Sequence, residues 1–180
     1  MPNVRLPLLS TAVAALAVAA LAPAAEAALP TFRDRTIVIG KSIGGVALGA
    51  TAASAKAAWG RARGLCDEAT CFYRPGDGRQ STGGEGSFSF TPKVVRIELK
   101  APLASGRAGY AYRAPFTTPK TDKGIGIGST PAAVKRAYPA ARAVRGSPML
   151  QIVRGQISTL FTYHNDDRRV FSITIEKLDR

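Results

Sequence analysis

The sequence predicts an α+β protein of two tandem units, each a helix on an antiparallel sheet, sharing one sheet and preceded by a signal peptide. Three observations predict it. The N-terminus carries an apolar leader with a cleavage site, one helix-start pattern occurs twice, and each helix is followed by segments that alternate apolar and polar residues.

The leader comes first. Arg5 supplies positive charge, Leu6 to Ala22 is apolar apart from Ser10 and Thr11, Pro23 ends the run, and Ala25, Glu26 and Ala27 form an A-x-A site. That order is a secretory signal peptide. The run is alanine-rich and interrupted by Pro7, which suits removal better than a spanning helix. The mature chain is expected to begin at Ala28, with 1–27 removed and 28–35 as a linker. A secreted or cell-envelope location follows, with no transmembrane anchor after processing.

The repeat sets the rest of the organisation. "GVALGATAASAKAAWG" (Gly45 to Gly60) lies over "GIGIGSTPAAVKRAYP" (Gly124 to Pro139) at a constant offset of 79 residues. "KVVRIEL" then matches "RVFSITI" at an offset of 76, and "SFSF" lies over "LFTY" at 73. Loop-length differences account for the drift. The units are therefore 36–115 and 116–180.

Each unit starts with a short apolar strand or turn that ends in glycine. Thr51 and Thr130 are expected helix caps, because a threonine hydroxyl accepts from the free amides of a first turn. Pro131 fits the first helical position, where no N–H is needed. Ala55, Ala58 and Trp59, and likewise Val134, Ala137 and Tyr138, recur at i, i+3 and i+4 and give each helix one apolar face. Gly60 and Pro139 stop the helices. In "VVRIELK" and "FSITIEK" apolar and polar residues alternate, the pattern of strands covered on one face. "SFSF", "YAYR", "MLQIV" and "TLFTY" are further strand candidates, and "HNDDRR" is the turn before the last strand.

Cys66 and Cys71 are the two cysteines. Export puts them in an oxidising setting, so a disulfide is expected. Two cysteines with no nearby histidine do not make a zinc site, and no metal is expected.

These patterns resemble the tandem units of the secreted beta-lactamase inhibitor protein fold. That family carries a similar helix start in each repeat and a disulfide shortly after the first helix. The single unit of the SmpA/BamE-type outer-membrane assembly lipoproteins is similar, as are uncharacterised secreted bacterial proteins with a two-unit layout. Val134 keeps the family's valine, while Ala55 replaces it in the first unit. No inhibitory contact residue matches one by one. The resemblance implies the fold, and a tendency to bind macromolecules through the open face of the sheet.

Chemistry-bearing patterns are sparse. "GIGIGS" has Ser129 where a dinucleotide loop needs its third glycine. "GKS" at Gly40 to Ser42 has Arg35 where a Walker motif needs glycine. The one histidine, His164, falls in a turn beside Asn165 and Asp166. A hydrolase would need Ser158 or Ser172 held against it, and no pattern in the sequence does this. No enzyme activity and no cofactor are expected.

The net charge is +13. A field of this size favours polyanions, without pointing to a specific nucleic acid. The expected function is an exported, non-enzymatic binding or inhibitor-like module for an envelope or extracellular macromolecule. Attachment to an anionic cell-wall polymer or membrane surface is the alternative. If aromatic residues point outward with arginines, Tyr73, Tyr110, Tyr112, Arg113 and Tyr163 form the binding face, because Tyr and Arg dominate interface hot spots.

Overall fold

The computed structural model describes residues 30–60, 66–73, 85–101 and 116–178. The leader at 1–27 and the strand candidate at 110–113 lie outside them. Two helices and two antiparallel sheets make an α+β fold.

The first sheet is small. β1 (Ile37–Val38), β2 (Ser42–Ile43) and β3 (Val46–Ala47) pair in sequence order. α1 (Ala52–Trp59) follows at once. Thr51 caps it by accepting the Ser54 amide at 3.2 Å. Gly60, at φ 86°, ends it in a conformation that favours glycine. α2 (Pro131–Ala137) starts in the same way, with Thr130 accepting the Ala133 amide at 3.2 Å and proline in its first turn.

The second sheet holds β4 (Thr70–Tyr73), β5 (Glu85–Phe90), β6 (Val94–Lys100), β7 (Arg142–Ala143), β8 (Met149–Arg154), β9 (Ile157–Tyr163) and β10 (Val170–Lys177). Its spatial order is β4-β5-β6-β10-β9-β8-β7. The chain therefore builds one flank, leaves for α2, and builds the other flank. Its last strand lies against β6 in the middle. There Ile97 faces Ile175 and Leu99 faces Ile173, all four fully buried.

Matching anchors tie each helix start to its flank. Gly49 N–H donates to the Val94 carbonyl and Val94 N–H to Ala50. Gly128 N–H donates to the Val170 carbonyl and Val170 N–H to Ser129. Each helix also ends on a buried aromatic residue whose polar tip returns to the segment before the helix. Trp59 Nε1 donates to the Ile43 carbonyl at 3.1 Å, and the Tyr138 hydroxyl donates to Asp122 Oδ1 at 3.0 Å.

The core lies between the large sheet and a layer made of the helices and β1–β3. Trp59 sits edge-on to Phe32, Tyr73 and Phe88. Val134, Leu150, Ile152 and Phe161 continue the same buried cluster on the other flank. The Cys66–Cys71 disulfide forms at the start of β4. No helix of the described residues is long and apolar enough to cross a membrane.

Candidate functional site

Of the residues expected to form a binding face, Tyr73 and Tyr163 fall among the described residues. Tyr73 is fully buried, and its hydroxyl donates to the Gly60 carbonyl at 2.8 Å. This corrects its expected outward position. Residues two apart on a strand share a face, and Cys71, also fully buried, fixes which face that is. Tyr163 is half-buried against the core edge, with the Arg168 guanidinium 5.5 Å from its ring centre. Tyr110, Tyr112 and Arg113 lie outside the described residues.

His164 occupies the turn before β10, its ring stacked on Phe171 with centres 4.1 Å apart. Burial lowers its pKa, against the pull of Asp167 and Asp166. The two serines weighed beside it have other partners. Ser158 accepts from Gln151, and Ser172 donates to Glu98. Among the described residues, no group of three or more His, Cys, Asp or Glu is placed to hold a metal ion.

The sheet face opposite the helices has its own organisation. Alternation along the strands puts Thr70, Ser87, Ser89, Ser158, Thr162, Ser172 and Thr174 on it. One line of register partners crosses all seven strands: Phe72, Ser87, Glu98, Thr174, Leu160, Gln151 and Arg142. At the centre, Arg96 of β6 ion-pairs with Glu176 of β10 and, at 3.1 Å, with Glu98. Ser172 donates to the other oxygen of Glu98 at 2.9 Å. Thr70 and Ser89 bond at 3.1 Å, and Gln151 donates to Ser158 at 2.9 Å. Ser158, Ser172 and Thr174 are buried although polar, and form the floor of this face between longer neighbours.

The charge on the face is balanced among the described residues. Arg96, Lys100 and Arg142 stand against Glu85, Glu98 and Glu176. These described residues of the face therefore carry none of the chain's net positive charge. The expected aromatic and basic face is, among these residues, a hydroxyl-rich one with paired charges and a single aromatic, Phe72.

A second feature lies in the helix layer. A cleft of about 310 Å³ is lined by Thr36 to Ile39, Asp122, Lys123, Tyr138 and Arg154. Its walls come from β1, the loop before α2, the end of α2 and the end of β8. Tyr138 reaches Asp122, and burial, then Asp122 itself, raises its pKa against the opposite pull of the Thr121 hydrogen bond and the Arg154 charge. Lys123 Nζ donates to the Ala137 carbonyl at 2.8 Å and sits 5.0 Å from the Tyr138 ring centre. The i, i+3, i+4 spacing puts Tyr138 on the apolar face of its helix, and Arg154 lies in no motif. No sequence signal joins them.

No protein-family model matches the chain, and no curated protein matches it. Among solved structures, the chain is similar to the crystal structure of a DUF4309 family protein, YjgB, from Bacillus subtilis. The TM-score is 0.45 at 12 % identity, over 77 % of this chain and 88 % of that one.

Proposed function

We propose that this protein is an exported, non-enzymatic binding module that meets a macromolecular partner with the sheet face opposite its helices. The separate hydrogen-bonded pairs on that face, Thr70 with Ser89, Arg96 with Glu98 and Glu176, Ser172 with Glu98, and Gln151 with Ser158, carry the reading. The face itself spans seven strands, a width of about 29 Å at ~4.8 Å per strand spacing. That breadth suits a macromolecule better than a metabolite. Its donors and acceptors are held by neighbouring side chains before any partner arrives, which lowers the ordering cost of association.

The reading includes a duplication of one helix-and-sheet unit, with the two sheets joined at β6 and β10. Support comes from the equivalent anchors: Gly49 and Gly128 each donate to the first residue of the innermost strand of their own flank, Val94 of β6 and Val170 of β10. Export rests on the leader, and the Cys66–Cys71 disulfide suits an oxidising compartment.

Attachment to anionic polymers by net charge is the competing outcome, and salt separates the two. At ~0.5 M salt the screening length is only a few Å. Mature protein on a resin, incubated with wall, membrane and culture-fluid fractions, is expected to retain its partner at that salt. A Leu160→Arg variant, with a long cation in the middle of the face, is expected to lose it. Retention that disappears with salt and ignores Leu160→Arg would establish the electrostatic alternative instead. Failure to retain any macromolecule from any fraction sinks both.

A further inference from the structure

We propose that the cleft between β1 and α2 is a binding site for a small organic monocarboxylate with an apolar body. Its volume of about 310 Å³ falls at the lower end of the ~300–1,000 Å³ range of small-molecule sites. The composition of its walls supplies the ligand class.

One wall is apolar and lacks a packing partner. Val38 is 40 % exposed, one of two large apolar side chains left so open among the described residues. It lies in the middle of the segment that lines the cleft. An apolar ligand body laid against Val38 and the Tyr138 ring would remove that surface from water.

The same cleft is lined by two cations, Arg154 and Lys123. Arg154 ends β8, and its guanidinium commits one N–H to the Ile39 carbonyl at a long 3.5 Å. It makes no ion pair with any described residue. A guanidinium has five N–H donors in a planar fork, so a pair remains to grip both oxygens of a carboxylate. Lys123 adds a second positive charge. Asp122 supplies one negative charge and is already the acceptor for Tyr138. Two cations against one carboxylate leave the cleft with a net positive charge that favours an anion. Inorganic phosphate has no apolar body to lay against Val38 and the Tyr138 ring, and that contact selects an organic carboxylate over it.

The test uses hexanoate, hexanamide and inorganic phosphate as probes on the mature protein, followed by backbone amide resonances. Hexanoate is expected to give saturable shifts centred on Val38, Ile39, Lys123 and Tyr138. Hexanamide keeps the body and loses the charge, and is expected to bind about 10-fold more weakly, the equivalent of one charge-assisted hydrogen bond. Arg154→Gln is expected to weaken hexanoate by about the same factor and leave hexanamide unchanged. Arg154 is exposed, and the spectrum of the variant reports its fold directly. Equal binding of acid and amide, tighter binding of phosphate, indifference to Arg154→Gln, or shifts that map elsewhere would each overturn the proposal. None of these outcomes depends on the sheet-face partner, which is absent from the experiment.

Discussion

Gly124 and Gly126 sit two residues apart in the loop before α2, and glycine is needed at each for a different reason. Gly124 has φ 74° with open space around a would-be Cβ. Its requirement is conformational, and alanine there costs about 1–2 kcal/mol. Gly126 has no such backbone demand. A Cβ on it would stand 2.6 Å from the Pro119 carbonyl oxygen and press on the Lys120 side chain. Lys120 is held in turn by its bond to the Ile127 carbonyl at 3.0 Å. Backbone cannot step aside as a side-chain tip can, so alanine at 126 costs about 1–3 kcal/mol by overpacking. The two causes separate with asparagine, which tolerates positive φ. Gly124→Asn is expected to recover much of the loss of Gly124→Ala, whereas Gly126→Asn is expected to be worse than Gly126→Ala. Urea unfolding midpoints of the four variants measure this. The glycine pattern that imitates a phosphate loop is thus explained by two positive-φ positions, Gly124 and Gly128, and one close backbone contact at Gly126.

The helices span 8 and 7 residues, too short to persist by themselves in water. Capping contributes about 1 kcal/mol at each start, and the larger contribution comes from the aromatic residue at each end. Trp59 is fully buried among three rings, with its N–H satisfied. Trp59→Ala is expected to cost about 3–5 kcal/mol. Tyr138→Phe keeps the ring, loses the bond to Asp122, and is expected to cost about 1 kcal/mol. Far-UV circular dichroism in denaturant is the suitable measurement, because Trp59 is the only tryptophan and the variant loses the usual fluorescence signal. These elements were legible in the sequence because caps and the i, i+3, i+4 spacing are local. The longer strands were legible for the same reason, through their alternation. β1, β2, β3 and β7 have 2 residues each, too few for any period to register. The cleft was illegible on different grounds: its residues come from four separate places along the chain and meet only after folding. Tyr73 was within reach, since the half-cystine at 71 pointing inward carries the residue at 73 inward with it.

The seam between β6 and β10 determines whether either flank can exist alone. Ile97, Leu99, Ile173 and Ile175 face one another across it and are fully buried. Parting the strands would strip these four side chains of part of their cover. At ~1.5–3 kcal/mol for each side chain fully exposed, the loss approaches ~6–12 kcal/mol, comparable with the ~5–15 kcal/mol that holds a whole domain together. The layer above crosses the same divide. Gly40 N–H donates to Thr159 Oγ1 at 2.9 Å, and Ile37 N–H donates to the Lys120 carbonyl at 2.8 Å. Below it, Arg96 reaches Glu176. A parted seam would also leave two long unpaired strand edges, each a template for aggregation. Fragments 28–115 and 116–180, expressed separately, are therefore expected to show collapsed amide dispersion or to aggregate, while the intact mature chain unfolds in one transition. Mixing the fragments as they refold is expected to restore the dispersed spectrum. If fragment 116–180 alone gave a dispersed spectrum and a cooperative melt, the second flank would be an independent domain and the seam only a docking surface. That result would also change the picture of the sheet face, because its central ion cluster, Arg96 with Glu98 and Glu176, exists only where the two flanks are joined.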